Sequence, residues 1–238
     1  MRLSRSSSSA PPVSVLVCTK RPALLRNLID NYARQRYPYK ELVILINHDE
    51  EPLADYYRAA RDDRTIRIAA LPPETSLGAC LNYAAGLARY DWIAKFDDDD
   101  YYAPNYLSES VDTMLRTNAD IVGKRAHYMY LSGRGLLLLR YRRMENRPVD
   151  QVQGATLLFK RSVLRRIRFR DANRGECVRF CADAREAGYA VYAGSRHNFA
   201  AVRQADRMAH TWRVRDRKLL SQNVRKLKVT DFRSFVSK

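Results

Sequence analysis

Four consecutive aspartates, Asp97–Asp100, directly follow a short apolar segment and have the side chains in this sequence best suited to chemistry. Carboxylates this close repel one another, so at least one should resist ionisation unless a cation shares the site. Mg²⁺ and Mn²⁺ prefer oxygen ligands. Because side chains alternate in extended backbone, we expect Asp97 and Asp99 to face one way and Asp98 and Asp100 the other. An Asp-x-Asp metal site is the hypothesis, and a solvated acidic loop is the alternative.

The elements around the aspartates alternate between buried strands and amphipathic helices. Apolar runs predict strands at 12–19, 39–47, 65–71, 91–96 and 119–126. Helical spacing predicts a helix at 21–35, and a proline, an N-cap serine or a final glycine marks one end of further helices at 52–60, 76–89, 103–117 and 175–188. This alternation with short connections is typical of a mostly parallel α/β sheet covered by helices on both faces. A hairpin is expected over 127–143, a strand that runs into a short helix over 154–167, and a last strand near 189–194.

Three polar segments follow predicted strands and should therefore meet at one edge of the sheet. They are Thr19–Arg21, Asn47–Asp49 and Asp97–Asp100. In open α/β sheets, ligands bind at the carboxyl ends of the strands. The aspartates thus lie where this architecture places a binding site, which argues against a simple solvated loop.

The charge of the chain is distributed unevenly. The formal net charge is +17, yet residues 1–100 contain 14 basic and 14 acidic residues, so the excess lies entirely in residues 101–238. Such an asymmetry indicates that the second part of the chain faces an anion, such as nucleic acid, a lipid headgroup or a phosphorylated substrate. Composition alone does not choose among them.

Length and composition indicate an ordinary globular protein of 238 residues, of which 46% are hydrophobic. No run of about 18 apolar residues predicts a membrane-spanning helix, and the start of the chain lacks the apolar region of a secretory signal. Four irregularly spaced cysteines do not form a disulfide framework, so a cytoplasmic location is expected. We divide the chain into a lead at 1–11, a first half at 12–125, a second half at 126–202 and a basic tail at 203–238.

The sequence resembles the family 2 glycosyltransferases, which have the GT-A nucleotide-sugar fold. Its central segment matches that family almost position for position and reads SLGACLNYAAGLARYDWIAKFDDDDYYAPNYL. The earlier segments VSVLVCTKRP and QRYPYKELVILINHDE, and the later segment QGATLLFKRSVLRRIRF, also resemble family segments in the same order. The resemblance implies a nucleotide-diphosphate sugar as donor, a hydroxyl of a glycan or lipid-linked molecule as acceptor, and Mn²⁺ or Mg²⁺ as cofactor.

By resemblance, the first half of the chain (12–125) binds the nucleotide-sugar donor and the second half (126–202) binds the acceptor. Five residues belong to the donor-binding half. Thr19 and Arg21 would lie beside the nucleotide base and ribose. Asn47 stands where the family usually has an aspartate that recognises the base, so the base itself stays open. Gly78 and Asn82 match the family's helix segment near the ribose and diphosphate.

The resemblance also assigns the residues closest to the reaction. Asp97 and Asp98 would bind the substrate, Asp97 at the ribose or through water at the metal. Asp99 and His210 would ligate the metal. The family often has Gly-Glu-Asp where this chain has Gly-Glu-Cys, so Glu176 becomes the candidate general base that deprotonates the acceptor in an inverting transfer.

Structural explanations compete with several of these assignments. Glu176 could simply stabilise the start of its helix, and His210 could be an ordinary surface histidine. Cys177 and Cys181 are four residues apart on a predicted helix, and we expect them to pack near the core. The arginine-rich segment 160–170 is either a solvated surface or a contact for phosphate or an anionic glycan on the acceptor side.

Two other classes of protein compete with a transferase. A pI near 10 fits a nucleic-acid-binding protein, but no nucleic-acid motif is present, and such a protein has little use for four aspartates at a ligand-binding edge. The basic C-terminal part could also hold the protein at the inner face of an anionic membrane. That second hypothesis is compatible with a transferase that acts on a lipid-linked acceptor.

Overall fold

The computed structural model describes residues 10–48, 53–60, 63–206, 214, 216–221 and 224–238. Its strands are β1 Val13–Thr19, β2 Lys40–Ile46, β3 Ile66–Ala70, β4 Trp92–Phe96, β5 Tyr101–Tyr102, β6 Ile121–Gly123, β7 His127–Leu131, β8 Leu136–Arg140, β9 Arg147–Pro148, β10 Leu158–Lys160, β11 Val191–Ala193, β12 Phe199–Arg203 and β13 Val224–Leu227. Its α-helices are α1 Leu25–Ala33, α2 Leu53–Ala60, α3 Leu77–Leu87, α4 Tyr106–Thr117, α5 Glu176–Glu186, α6 Asp216–Ser221 and α7 Phe232–Val236.

A large mixed sheet forms the centre of the fold. Its strand order is β3-β2-β1-β4-β10-β6-β11-β9. The first four strands are mutually parallel, as the alternation predicts. Strand β10 runs antiparallel to both β4 and β6. Strands β4 and β6 therefore point the same way, and their carboxyl ends lie at the same edge of the sheet.

Helices cover both faces of this sheet, which confirms the predicted layered α/β architecture. Side chains of α1 and α4 share one apolar cluster with the alternate residues Val13, Val15 and Val17 of β1. Side chains of α3 and α5 share another cluster with Leu16, which points to the opposite face. Because a strand buried on both faces reads as a continuous apolar run, the predicted strands at 12–19 and 39–47 agree with the structure.

A second sheet, not predicted from the sequence, lies beside the aspartates. Its order is β13-β8-β7-β12-β5, and it contains the predicted hairpin as β7 and β8. The expectation that the chain has its last strand near 189–194 is wrong, because β12 and β13 follow β11. Strand β5 begins directly after Asp100, so the first residues beyond the aspartates are fixed in this second sheet.

The described helices give no sign of a membrane-spanning segment. In the part of the chain that the structure covers, none is both long enough and apolar enough to cross a bilayer.

Candidate functional site

The four aspartates form a tight turn between β4 and β5. Two asparagines of α1 hold the backbone of this turn. The side-chain amide of Asn27 donates to the carbonyl oxygens of Asp98 at 2.7 Å and Asp100 at 3.1 Å. The amide of Asn31 donates to the carbonyl of Asp100 at 2.8 Å, and its oxygen accepts from the backbone N–H of Tyr102. The turn is therefore fixed by helix α1, and the aspartates are not a loose acidic loop.

The turn corrects the predicted alternation of the aspartates. Oxygens of Asp97, Asp99 and Asp100 lie within 4.8 Å of one another. Asp100 therefore faces the same way as Asp97 and Asp99, whereas the alternation predicts that it faces away from them. Asp98 alone points elsewhere. The extended backbone on which the prediction rested is absent here, since residues 97–100 turn before β5 begins. Three converging carboxylates provide the oxygen donors that Mg²⁺ and Mn²⁺ prefer, so the residues present fit such an ion.

Asp100 shows the expected cost of placing carboxylates together. Its side chain is buried and accepts one hydrogen bond, from the backbone N–H of Val202 at 2.9 Å. Burial, followed by the charges of Asp99 and Asp97, raises the pKa of Asp100 well above its usual range. The site therefore disfavours its own full negative charge, which a bound divalent cation would relieve.

Asp100→Asn should stabilise the protein in the absence of metal by about 1 kcal/mol. The asparagine oxygen can keep the bond from Val202, while the buried charge next to Asp99 is removed. Because the folded-state pKa of Asp100 is raised, its contribution to stability is lost as the pH rises, and the gain should be larger at pH 8 than at pH 5. Urea unfolding in chelator measures this gain, and a variant less stable than wild type at pH 8 would contradict it.

Asp98 is held by residues that follow β1. Arg21 contacts both carboxylate oxygens of Asp98 and donates to Asp99 Oδ2 at 2.9 Å. The hydroxyl of Thr19 donates to Asp98 Oδ2 at 2.6 Å and accepts from the backbone N–H of Arg21 at 3.1 Å. Burial raises the pKa of Asp98, while Arg21 and Thr19 act in the opposite direction. The predicted site residues of β1 and β4 are thus in direct contact.

A buried lysine, which the sequence analysis did not single out, contacts the first aspartate. The ammonium of Lys95 lies against Asp97 Oδ1, and its side chain is only 4% exposed. Burial lowers the pKa of Lys95, but Asp97 outweighs this effect and raises the pKa overall. The charge of Glu176 acts on Lys95 in the same direction. Lys95 therefore links the aspartate turn electrostatically to the start of α5.

Glu176 is the first residue of α5 and is buried. Its Oε1 accepts from the thiol of Cys177 at 3.2 Å, and that thiol also faces the carbonyl oxygen of Gly154. Burial raises the pKa of Cys177 well above its usual range, so this thiol stays neutral. Cys177 and Cys181 are both buried in the cluster shared by α3 and α5, which confirms that they pack in the core.

Asn47 lies at the end of β2 beside Thr19. Its backbone N–H donates to the carbonyl of Thr19 at 3.1 Å, and its side-chain amide donates to the carbonyl of Thr75 at 3.0 Å. Thr75 directly precedes Ser76, the N-cap of α3. Asn47 therefore joins the carboxyl end of the sheet to the start of α3, and its contact with a base stays a prediction.

Gly78 and Asn82 of α3 form hydrogen bonds with the segment that follows β10. Asn82 donates to the carbonyl of Phe169 at 2.8 Å and accepts from its N–H at 3.1 Å. The N–H of Gly78 donates to the carbonyl of Ala172 at 3.1 Å. The described contacts of both residues position this segment next to the helix start, and donor binding by them stays a prediction.

Gly78→Ala should destabilise the protein by about 3 kcal/mol. A Cβ on Gly78 would lie 1.8 Å from the carbonyl oxygen of Arg170, and backbone cannot yield as a flexible side chain does. The matched control is Gly86→Ala in the same helix, where a Cβ has no neighbour within 4 Å. That control should gain about 0.5–1 kcal/mol. Urea unfolding of both variants checks the pair, and equal effects would contradict the close approach at Gly78.

Two further expectations concern the arginine-rich segment and His210. The register of β10 places Lys160 opposite Trp92, the first residue of β4, so residues 160–165 lie at the edge of the sheet opposite the aspartates. These residues therefore lie away from the aspartate turn, and contact of the segment 160–170 with phosphate or an anionic glycan stays a prediction. His210 lies outside the described residues, and its role as a metal ligand stays a prediction.

The family is established by the sequence comparison. The profile of glycosyl transferase family 2 matches residues 14–174, which is more than half of the chain. The chain belongs to glycosyl transferase family 2. The matched range contains the aspartate turn and every predicted donor-binding residue, and it ends two residues before Glu176. No curated protein sequence matches the chain.

Solved structures agree with this family at the level of the fold. TarS 1–349 of S. aureus has a TM-score of 0.65 at 18% identity, with 80% of this chain and 60% of that chain covered. The same protein in complex with UDP-GlcNAc gives 0.66 at 16%, over 82% and 59%. The mannosyltransferase PcManGT from Pyrobaculum calidifontis, in complex with GDP-Man and Mn²⁺, gives 0.65 at 16%, over 82% and 57%. This chain therefore spans about three fifths of the length of these structures.

Proposed function

We propose that this family 2 protein is a metal-dependent, inverting glycosyltransferase. It transfers a sugar from a nucleotide-diphosphate donor to a hydroxyl of a glycan acceptor. The observation that carries the proposal is the convergence of Asp97, Asp99 and Asp100 at the carboxyl ends of parallel strands, in contact range of Arg21. One structure with this fold is in complex with UDP-GlcNAc, and another is in complex with GDP-Man and Mn²⁺. Both complexes support a nucleotide-diphosphate sugar as the donor.

The donor would lie across the ends of β1, β2 and β4. Thr19, Arg21 and Asn47 line the ends of β1 and β2 and would contact the base and ribose. A divalent ion held by Asp97, Asp99 and Asp100 would neutralise charge on the departing diphosphate. Arg21 and Lys95 keep two of these carboxylates in place before the donor arrives.

Glu176 would act as the general base. An acceptor hydroxyl oxygen forms a bond to C1 of the sugar while the bond from C1 to the diphosphate oxygen breaks, and the hydroxyl proton passes to Glu176. The nucleoside diphosphate leaves with the electron pair of the broken bond. Attack from the face opposite the leaving group inverts C1. Burial of Glu176 and its place at the N-terminus of α5 hold the carboxylate in one position.

The release of nucleoside diphosphate tests this function. Wild-type protein is incubated with UDP-GlcNAc or GDP-mannose and a mixture of glycans, with Mn²⁺ or with chelator. The proposal expects sugar transfer in the presence of metal, loss of transfer in chelator, and loss of transfer in Glu176→Gln with donor binding retained. Equal transfer with and without metal would overturn the metal dependence, and full activity of Glu176→Gln would overturn the base.

A further inference from the structure

Four arginines lie in or next to a turn that begins with an exposed tyrosine, Tyr141. We call Arg125, Arg142, Arg143 and Arg147 the arginine rim. Tyr141 begins a turn after β8 in which the N–H of Met144 donates to the carbonyl of Tyr141 at 2.8 Å. The N–H of Ala126 donates to the carbonyl of Met144 at 3.0 Å, so the turn is fastened directly beside Arg125.

Tyr141 is held in a conformation that tyrosine rarely adopts. Its φ is 48°, in the left-handed region, and the residue is 36% exposed. The guanidinium of Arg125 lies 4.0 Å from the ring centroid, and that of Arg140 lies 5.1 Å from it. Such backbone strain persists only where the surroundings enforce it, and it is concentrated at functional sites. The turn therefore presents a fixed aromatic ring and guanidinium groups to solvent.

The arginine rim lies in a strongly basic segment of the chain. Residues 124–148 include seven lysines and arginines and one acidic residue, Glu145. Glu145 is engaged by Arg196, and Lys124 is paired with Glu109 at 3.1 Å. Within the described residues, the four arginines of the rim form no ion pair with a carboxylate.

The arginine rim lies at the same edge of the sheet as the aspartates. Arg125 follows β6, whose carboxyl end is two strands from that of β4, or roughly 10 Å. Hydrogen bonds connect the aspartate turn to the residues beside the arginine rim. The hydroxyl of Tyr102 accepts from the N–H of Asp97 and donates to the carbonyl of Ala155. Gln153, two residues earlier, donates to the carbonyl of Lys124 at 2.7 Å. Gly154, the next residue, accepts a contact from the thiol of Cys177, so the same segment also reaches the start of α5, where Glu176 lies.

We propose that the arginine rim binds negatively charged groups of the acceptor, so that the acceptor is an anionic glycan. This inference rests on the proposed function and names the class of its acceptor. Guanidinium groups match the paired oxygens of phosphodiesters and carboxylates, and both kinds of group occur in glycans. The donor diphosphate is assigned to the aspartate turn, so the rim is free to select the second substrate.

Binding of defined oligomers tests the proposal without a transfer assay. The probes are a fluorescent glycerol-phosphate hexamer, a galacturonate hexamer and neutral maltohexaose, each at 0.15 M salt. Wild type should bind at least one of the two anionic hexamers and should not bind maltohexaose. The hexamer that binds identifies phosphodiester or carboxylate as the recognised group. Failure of both anionic hexamers to bind would overturn the proposal.

Matched double variants separate specific binding from net charge. Arg142→Gln/Arg143→Gln should bind the hexamer at least tenfold more weakly. The control Arg165→Gln/Arg168→Gln removes the same charge from two exposed positions, one within residues 160–165 at the opposite edge of the sheet and one shortly after them. This control should bind the hexamer as wild type does. Equal weakening in both variants would overturn the proposal.

Competition identifies other partners of the same surface. Duplex DNA and phosphatidylserine vesicles are each tested for displacement of the bound hexamer. If either binds wild type as tightly as the hexamer does and displaces it, the partner of this surface is nucleic acid or membrane, and the proposal is overturned. Metal-dependent nucleotide binding by the wild-type protein is measured separately. If it holds while hexamer binding fails, only the acceptor assignment falls, whereas loss of nucleotide binding counts against the proposed function.

Discussion

Asp99→Asn is expected to lower the rate of sugar transfer about a thousandfold, which corresponds to about 4 kcal/mol of transition-state stabilisation. Asp99 is one of the three converging carboxylates and is also held by Arg21. Asparagine keeps the size of the side chain but removes the charge that a divalent cation needs. The folded state should therefore persist while metal-dependent nucleotide binding is lost.

The control for Asp99→Asn is Asp91→Asn. Asp91 lies at the start of β4, at the other edge of the sheet, and its side chain is 88% exposed. This variant makes the same chemical change and should retain transfer within twofold. Transfer rates and nucleotide binding are measured for both variants with and without Mn²⁺. Full transfer by Asp99→Asn, or unchanged dependence on metal, would contradict the metal assignment.

Arg21→Met is expected to destabilise the protein by about 3 kcal/mol, because it leaves the buried carboxylate of Asp98 without its cation. For a chain of this size the melting temperature should fall by roughly 8 °C. Transfer should fall as well, since Arg21 also holds Asp99. Thermal and urea unfolding in chelator measure the loss of stability, independently of donor binding.

Two further variants show whether the loss comes from the pair with Asp98. Arg26→Met removes an arginine whose side chain is 94% exposed and should cost less than about 0.5 kcal/mol. Arg21→Met/Asp98→Asn should be more stable than the sum of its single variants predicts, by about 2 kcal/mol. Simple additivity of the two substitutions would contradict a direct interaction.

The sequence was sufficient to predict the parallel half of the fold. Strands β1 and β2 are buried on both faces, so their apolar runs are nearly continuous, and helices α1 and α2 carry clear amphipathic spacing. Convergence of Thr19, Arg21 and the aspartates followed from the rule that parallel strands end at one edge, and the hydrogen bonds from Thr19 and Arg21 to Asp98 confirm it.

The conformation of the aspartate turn could not be predicted, because it depends on distant partners. The carbonyl groups of residues 98 and 100 are held by Asn27 and Asn31, about 70 positions earlier in the sequence. One signal was available: two asparagines four residues apart lie within the helix that contributes Leu28 and Tyr32 to the core. Buried polar side chains need partners, so these asparagines could have been recognised as supports.

Lys95 and the second sheet were missed for different reasons. A lysine within an apolar strand is a clear signal that an acidic partner lies nearby, and Asp97 is only two residues away. The strands of the second sheet are short, and β5 has only two residues. Their pairing joins segments as distant as 101–102 and 199–200. Periodicity within a single segment does not reveal such pairings.

The most direct test of the metal-dependent donor site is a thermal-shift panel on the wild-type protein. UDP, GDP, dTDP and CDP are each added with Mn²⁺, Mg²⁺ or chelator. A ligand that binds only the folded state raises the melting temperature by mass action. We expect one nucleotide to raise it in the presence of metal and to lose this effect in chelator. No shift with any nucleotide at millimolar concentration would contradict the assignment of Asp97, Asp99 and Asp100 to a nucleotide-sugar site.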